Sequence, residues 1–542
     1  MLRAFWTWDP VASGTYNTFD EPFAYANNKW FFDKSVWQKM FRTMNGCGFN
    51  AIILANTHPF PFMIDVSDYQ GAKVIEDAAL AGYQQMHHWV FETALDYEIA
   101  PYVLFFPGYY PDTLLQANGI DPGKGTLPDG LGMEYMHHCV RRLLETYPEL
   151  SGLIADAHRI ELLQQGVVDA LDAARPDAAL YLRSGDGDPD KLVDSVKRRA
   201  GRQVHYLVKY TGDHLVDSNP DPSFTKWIDT AGAPNIAADF RVCNFEPWTS
   251  LSFDTTEGIV QNLEDVECDG FALQPLSLYD WPKASDTFFK FQWQRDLVWY
   301  SIWGGASLEE LLHEAQPKWL LRNKRVIEGF SAGSRILELL SLYIAGDKQD
   351  RWRPQFCSIR DDEGGLGRLL SIEDMLHLED MPASDWWQEV TCDQVVHISQ
   401  YIQSGTPENA YGPEELIEEL ADLAEQSITA GEKGMRNNSG ERELPGLSRD
   451  ALCMGWLGEF YIERFKAALA HARGDNTEAL DHMARALGKY QEIADLDSSH
   501  RTEFRVVTDR SVIVGDWSAT VSALQAEYDD AVNGEFRSGY KI

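Results

Sequence analysis

Residues 133–183 read MEYMHHCVRRLLETYPELSGLIADAHRIELLQQGVVDALDAARPDAALYLR. Apolar residues recur at helical spacing over 133–147, and GLIAD (152–156) is a short apolar run of strand length. Helical spacing returns over 160–174, and ALYLR (179–183) is the next strand. Strand, helix and strand in such short compass form a parallel βαβ unit. The rhythm continues in both directions. Upstream lie an aromatic strand from Leu2 to Trp8 and a helix carrying Val36, Met40, Phe41 and Met44. The strand AIILAN (51–56), a helix over 76–97 and the strand PYVLFF (101–106) follow. Downstream, helix 190–200 leads to QVHYLVKY (203–210), a loop leads to NIAADFRV (235–242), and helix 255–266 leads to GFALQPLSL (270–278). Eight strands, most of them separated by a helix, place the chain in the α/β class and argue for a closed (β/α)8 TIM barrel. A doubly wound sheet would show a glycine-rich phosphate turn after its first strand, and WTWDPVASG (6–14) has none.

Beyond residue 290 strand-like runs nearly vanish. Segments 307–314, 322–346, 413–429, 449–473 and 476–494 are amphipathic helices, interrupted by loop-rich breaks at 359–368 and 429–446. The expected organisation is a barrel over residues 1–300 and an all-α C-terminal domain over 301–542. A Gly-, Pro- and Asp-rich stretch at 107–132 follows the third strand and exceeds an ordinary connector. It reads as a rim lid presenting Tyr109 and Tyr110, or as a fixed structural loop.

Charge narrows the partners. Lys and Arg number 47 against 84 Asp and Glu, a net charge of -37, which repels phosphate backbones and anionic bilayers. Nucleic acid and membrane are therefore not expected partners. No window reaches the apolar length of a membrane-spanning helix. The N-terminus MLRAFWTWDP lacks signal-peptide features, and the seven cysteines are scattered without a C-x-x-C pair. The expectation is a cytoplasmic protein, or a periplasmic one if a signal has been removed.

Barrel chemistry sits at the C-terminal ends of the strands. Those ends carry Trp8 and Asp9, then Asn56 and His58, then Asp156 and His158. Arg183 and Asp186, then Lys209, Tyr210 and His214, follow after the fifth and sixth strands. Arg241 and Glu246 follow the seventh, Asp280 and Trp281 the eighth. Carboxylates and amides that bond hydroxyls, beside aromatic faces that cover sugar C–H groups, suit an oligosaccharide. Glycosidic cleavage needs two carboxyl groups. Asp156 is the expected general acid, its pKa raised by burial or by neighbouring carboxylates, with Glu246 as base or nucleophile and Asp280 in reserve. The remaining residues of these strand ends would bind substrate, with Arg183, Lys209 and Arg241 meeting a uronate carboxylate. Each has a plainer role open to it. Asp156 would cap a helix, Glu246 and Asp280 would be loop carboxylates, and His58 a structural histidine. The basic residues would pair with nearby aspartates, and Trp6, Trp8 and Trp281 would be core. No cofactor is required, and no metal: the G-D-G-D-P-D run (185–190) lacks EF-hand spacing.

Three patches carry a resemblance: VKYTGDH (208–214), NNKWFFDKSVWQKMFRTMNGCGFNAIILANTHPFPF (27–62) and WQRDLVWYSIWGG (293–305). They resemble elements of α-glucuronidase-like barrel proteins of polysaccharide-degrading bacteria. The resemblance implies a glycoside hydrolase whose helical domain grows from the barrel. The chain departs from that pattern in starting at barrel strand 1, without an N-terminal β domain, and in carrying Gly305 where an Arg is often found. It also reads Asp156-Ala157-His158 where the resemblance calls for a Glu after strand 4. That departure motivates a second reading, a barrel that binds sugar without cleaving it, as sensor or scaffold. A third, a metal-dependent isomerase or hydrolase, would need His58, His158 and His214 to converge with Asp9 or Asp156. An exposed apolar stripe on the C-terminal helices would serve a two-fold homodimer.

Overall fold

The computed structural model describes the chain except at residues 9–28, 124, 185–186, 198–202, 212–214, 242–244, 246, 249, 251, 275–287, 289–290, 306–322, 346–351, 360–365, 379–393, 409, 437–442, 502–503, 508–511 and 516. Asp9, Asp186, His214, Glu246, Asp280 and Trp281 thus lie outside the described residues, as do the side chains of Trp8 and Arg241.

Eight parallel strands close into a barrel: β1 (Leu2–Trp8), β2 (Ala51–Ala55), β3 (Ala100–Phe105), β4 (Gly152–Asp156), β5 (Ala179–Arg183), β6 (His205–Lys209), β7 (Ile236–Arg241) and β8 (Gly270–Gln274). β1 pairs with β2 on one side and β8 on the other, which completes the ring. Side chains alternate across each strand. One set, including Ala4, Trp6, Ile53, Leu104, Ile154, Tyr181, Leu207, Ala237 and Ala272, fills the barrel. The other set packs under the helices.

Those helices are α1 (Lys34–Gly46), α2 (Asp77–Asp96), α3 (Asp129–Thr146), α4 (Asp169–Ala174), α5 (Pro189–Lys197), α6 (Pro222–Ala231), α7 (Phe253–Asp265) and α8 (Leu297–Trp303). Caps mark their starts. Asp33 accepts from the Ser35 amide at 3.0 Å, and Asp221 from the Ser223 amide at 2.8 Å. α1 buries Val36, Trp37, Met40, Phe41 and Met44, one stripe of a 3.6-residue period. α8 locks against the turn after α1. A Cβ on Gly48 would meet the Gly304 carbonyl oxygen at 2.2 Å, so only glycine allows that approach.

The second half is built on α9 (Lys324–Ala345), α10 (Pro413–Met435), α11 (Glu443–Ala472), α12 (Asn476–Ser498) and α13 (Ser518–Val532). Its core is separate and includes Phe330, Leu337, Leu420, Leu457, Phe460 and Tyr490. α8 serves both cores: Trp299, Tyr300 and Trp303 join the barrel's, while Val298 and Ile302 join the helical one. Two more contacts bind the halves. Trp248, after β7, stacks on Trp517 at 5.2 Å and donates to Asp497 at 3.3 Å. Glu338 of α9, fully buried, accepts from the Ser252 amide at 2.7 Å and from the hydroxyls of Ser252 and Thr255 at 2.8 and 2.9 Å.

Local expectations are corrected in four places. The stretch 107–132 holds a helix, Asp112–Ala117, and α3 already begins at Asp129, so much of the supposed lid is regular structure. The helix expected over 160–174 runs without interruption, but its middle turn, Gln164–Val168 between Ile160–Leu163 and α4, is π-helical. The break expected at 429–446 is shorter, since α10 runs to Met435 and α11 starts at Glu443. The helical half also holds short ladders, among them the hairpin Phe504–Val507 with Val512–Gly515. Among the described residues its exposed large apolar side chains are Ile402 and Val532.

Candidate active site

Inward alternation delivers three charged side chains to the C-terminal end of the barrel interior. Asp156 follows Ile154 on β4, Arg183 follows Tyr181 on β5, and Asp239 follows Ala237 on β7. Arg183 joins the two carboxylates: its Nη1 donates to Asp156 Oδ2 at 3.1 Å and its Nε to Asp239 Oδ2 at 2.7 Å. The guanidinium also lies 5.3 Å from the ring centre of Trp6, a cation–π contact inside the barrel. Both carboxylates are buried, with side chains 7% and 2% exposed.

The other oxygen of Asp156 serves His158. Oδ1 accepts from the His158 amide at 3.2 Å and from its ring Nδ1 at 2.8 Å. The imidazole rests beside Phe106 and Tyr109, at 6.3 and 5.6 Å between ring centres, with 42% of its side chain exposed. Burial pushes the Asp156 carboxyl up, but the hydrogen bonds from His158 and the charge of Arg183 outweigh it and hold it below the usual carboxylate range. The expected direction, a raised acid, is therefore reversed: Arg183 supplies the positive charge that the sequence assigned to a substrate. Arg183 itself is desolvated, yet the two carboxylates raise its pKa. Asp156 does not cap the following helix either, whose cap residue is Arg159. Burial and then the Asp156 charge push the Tyr109 hydroxyl up.

Other expected contacts move away from the mouth. His58 is fully buried in the layer under α3, its Nε2 2.9 Å from the Tyr135 hydroxyl and its ring stacked on that tyrosine. Burial drives its pKa down to about 3. Asn56, equally buried, accepts the His58 amide at 2.9 Å. Tyr210 faces the helices, donating to the Ser218 carbonyl at 2.7 Å between Phe224 and Phe240. All three occupy the outward alternation, which points away from the barrel axis. Tyr110, of the supposed lid, is likewise buried against Tyr135. Lys209 and Arg241 end β6 and β7, in register with Asp239 and Gln274. Among the described residues no group of three His, Cys, Asp or Glu side chains could hold a metal. Sequence reasoning missed Asp239. Its signal was the one acidic residue inside NIAADFRV, on the same alternation as Ala237 and Arg241.

No family model and no curated protein matches the sequence. Among solved structures, a GH138 enzyme targeting pectin rhamnogalacturonan II superposes with a TM-score of 0.81. Its identity is 17% over 98% of this chain and 83% of its own. CpGH84B gives a TM-score of 0.42 at 9% identity over 96% of this chain and 76% of its own. CpGH84D gives 0.39 at 9% over 92% and 72%. The chain thus has the fold of that GH138 enzyme: a closed eight-stranded barrel continued by a helical region.

Proposed function

We propose that this chain is a glycoside hydrolase that cleaves an oligosaccharide, of the uronic-acid-containing class, at the C-terminal rim of the barrel. The observation that carries the reading is the cluster Asp156–Arg183–Asp239 with His158 exposed above it, at the end of the barrel where such folds do their chemistry. The shared fold with an enzyme that targets a pectin supports the substrate class, as does the resemblance to α-glucuronidase-like proteins. Arg183 is engaged by two aspartates, and a substrate carboxylate is assigned to Lys209 and Arg241, the residues that end β6 and β7. Asp156, held as a carboxylate, suits accepting and orienting rather than donating a proton. Glu246 is assigned as the carboxylate that activates water or attacks the anomeric carbon, with Asp280 as its alternate.

The test is product analysis on uronic-acid-containing oligosaccharides, pectin fragments included, with the wild type and Glu246→Gln. Cleavage by the wild type and a loss of at least about a hundredfold in the variant would support the assignment. Binding by calorimetry with no product would replace it with the non-catalytic sugar-binding barrel.

A further inference from the structure

A glycosidase needs a group to protonate the departing oxygen, and the strand-4 end offers one beside Asp156. The Asp156 side chain is committed on every edge: Oδ2 to Arg183, Oδ1 to the His158 amide and ring. Its short reach lets one carboxylate close the turn and grip the imidazole together, which a Glu at this position could not do with the same geometry. With Nδ1 engaged, Nε2 is the nitrogen left for a substrate, and among the described residues it hydrogen-bonds to nothing. Phe106 and Tyr109 flank the ring and confine its orientation. The charged and titratable neighbours come from every side: Asp156 with Arg183 behind it, Tyr109 from the loop after β3, and Glu161, itself paired to Arg159. The carboxylates of Asp156 and Asp239, the Arg183 guanidinium and a His158 imidazolium sum to zero charge.

We propose that His158 is the proton donor to the leaving group and that Asp156 is the residue that positions it, an inference that rests on the glycosidase reading above. The Nε2–H bond breaks as the proton passes to the glycosidic oxygen. The bond from that oxygen to the anomeric carbon breaks with its electron pair on oxygen, and the alcohol departs. Water bonds to the anomeric carbon and gives its proton to the carboxylate that serves as base, the role assigned above to Glu246. Exchange with solvent takes one proton from that carboxylate and returns one to His158, so the sum is substrate plus water. Histidine is the side chain whose ordinary titration lies between about pH 5 and 8, which suits it to this work.

The experiment uses the full chain, wild type, His158→Ala, His158→Gln and Asp156→Asn, each first checked for an unchanged melting curve. On an oligosaccharide, His158→Ala should lose about 10² to 10⁴ in kcat, the range of a general acid, with KM moving by less than about threefold. On a nitrophenyl glycoside, whose leaving group needs no proton, its rate should stay within about tenfold of wild type. Added imidazole should restore part of the oligosaccharide activity of His158→Ala but not of His158→Gln, whose side chain fills the space. Asp156→Asn should show the same dependence on leaving group in milder form, which a merely structural role would not produce. Wild-type cleavage with unimpaired His158→Ala, or equal losses on both substrates, would overturn this inference and leave the glycosidase reading standing. A wild type that cleaves no glycoside would overturn both.

Discussion

The ends of β2 and β4 carry one short pattern, an Asn or Asp two residues ahead of a histidine: Asn56-Thr57-His58 and Asp156-Ala157-His158. Both close the same turn, with the side-chain oxygen accepting the histidine amide at 2.9 and 3.2 Å. The likeness stops there. On β2 the inward set is Ala51, Ile53 and Ala55, so Asn56 points to the helices, and His58 goes into the sealed layer with Tyr135. On β4 the inward set leads through Ile154 to Asp156, whose charge meets Arg183 and holds the His158 ring at the rim. Alternation of one residue decides which face a strand's last side chain joins. The charge of Asp over Asn then decides whether the histidine is gripped by its ring or only by its backbone.

The strongest way to break this contrast is to remove the cation. Arg183→Met keeps length and bulk but leaves Asp156 and Asp239 buried without their partner. Breaking a buried pair by deleting one member costs about 3–5 kcal/mol, and urea unfolding at neutral pH should read a loss of that size. The deficit should shrink in mild acid, where the stranded carboxyls take up protons. A loss below about 1 kcal/mol would mean that the two carboxylates are solvated rather than held by Arg183.

Acid separates the two ends by the pH at which each fails. The folded pKa of His58, about 3, lies below the ordinary value of 6.5. Its contribution is therefore fully present above pH 6.5 and is lost as pH falls from there toward 3. The slope approaches about 1.4 kcal/mol per pH unit, so about 2 kcal/mol goes between roughly pH 6.5 and 5. Asp156 is also depressed, but from a carboxylate's starting point of 3.8. Its contribution persists above 3.8 and is lost only as pH falls through its lowered folded value. The melting temperature of the wild type should decline first in the histidine window. His58→Gln, which cannot take up a proton there, should flatten that decline.

How far these differences could be read from the sequence follows from the same alternation. The eight strands stood out because each is a short apolar run between helical periods, and AIILAN (51–56) and GLIAD (152–156) were placed within a residue of β2 and β4. In a parallel barrel both strand faces are buried, so the runs are apolar throughout and show no in–out pattern. Asn56, His58 and Tyr210 were therefore grouped with Asp156 and Arg183 on one rim, although they occupy the opposite face. The sign of the Asp156 shift depends on Arg183 and His158 approaching from two directions, and linear spacing does not encode that. The role of Asp239 was hidden for a related reason: its partner is 56 residues away along the chain.

The smallest and sharpest comparison removes one hydroxyl at each end. Tyr135 places its oxygen 2.9 Å from Nε2 of His58, in a site with no solvent exposure for either residue. The same hydroxyl hydrogen-bonds the buried Cys139 thiol. Tyr135→Phe preserves the ring stack, centroids 5.7 Å apart, but leaves a buried imidazole nitrogen without that partner. Such an orphaned group costs about 1–2 kcal/mol. Tyr109 stands beside His158 at a similar ring separation, 5.6 Å, but its neighbour is half exposed, so water can replace what its hydroxyl provides. Tyr109 is only partly buried, so Tyr109→Phe should lose less stability than Tyr135→Phe. Paired urea curves on the two variants give the difference directly. Equal losses would mean that the rim at β4 is as closed as the layer at β2. In that event His158 would have no open face for a substrate, and the assignment of a proton-donating histidine would fall with it.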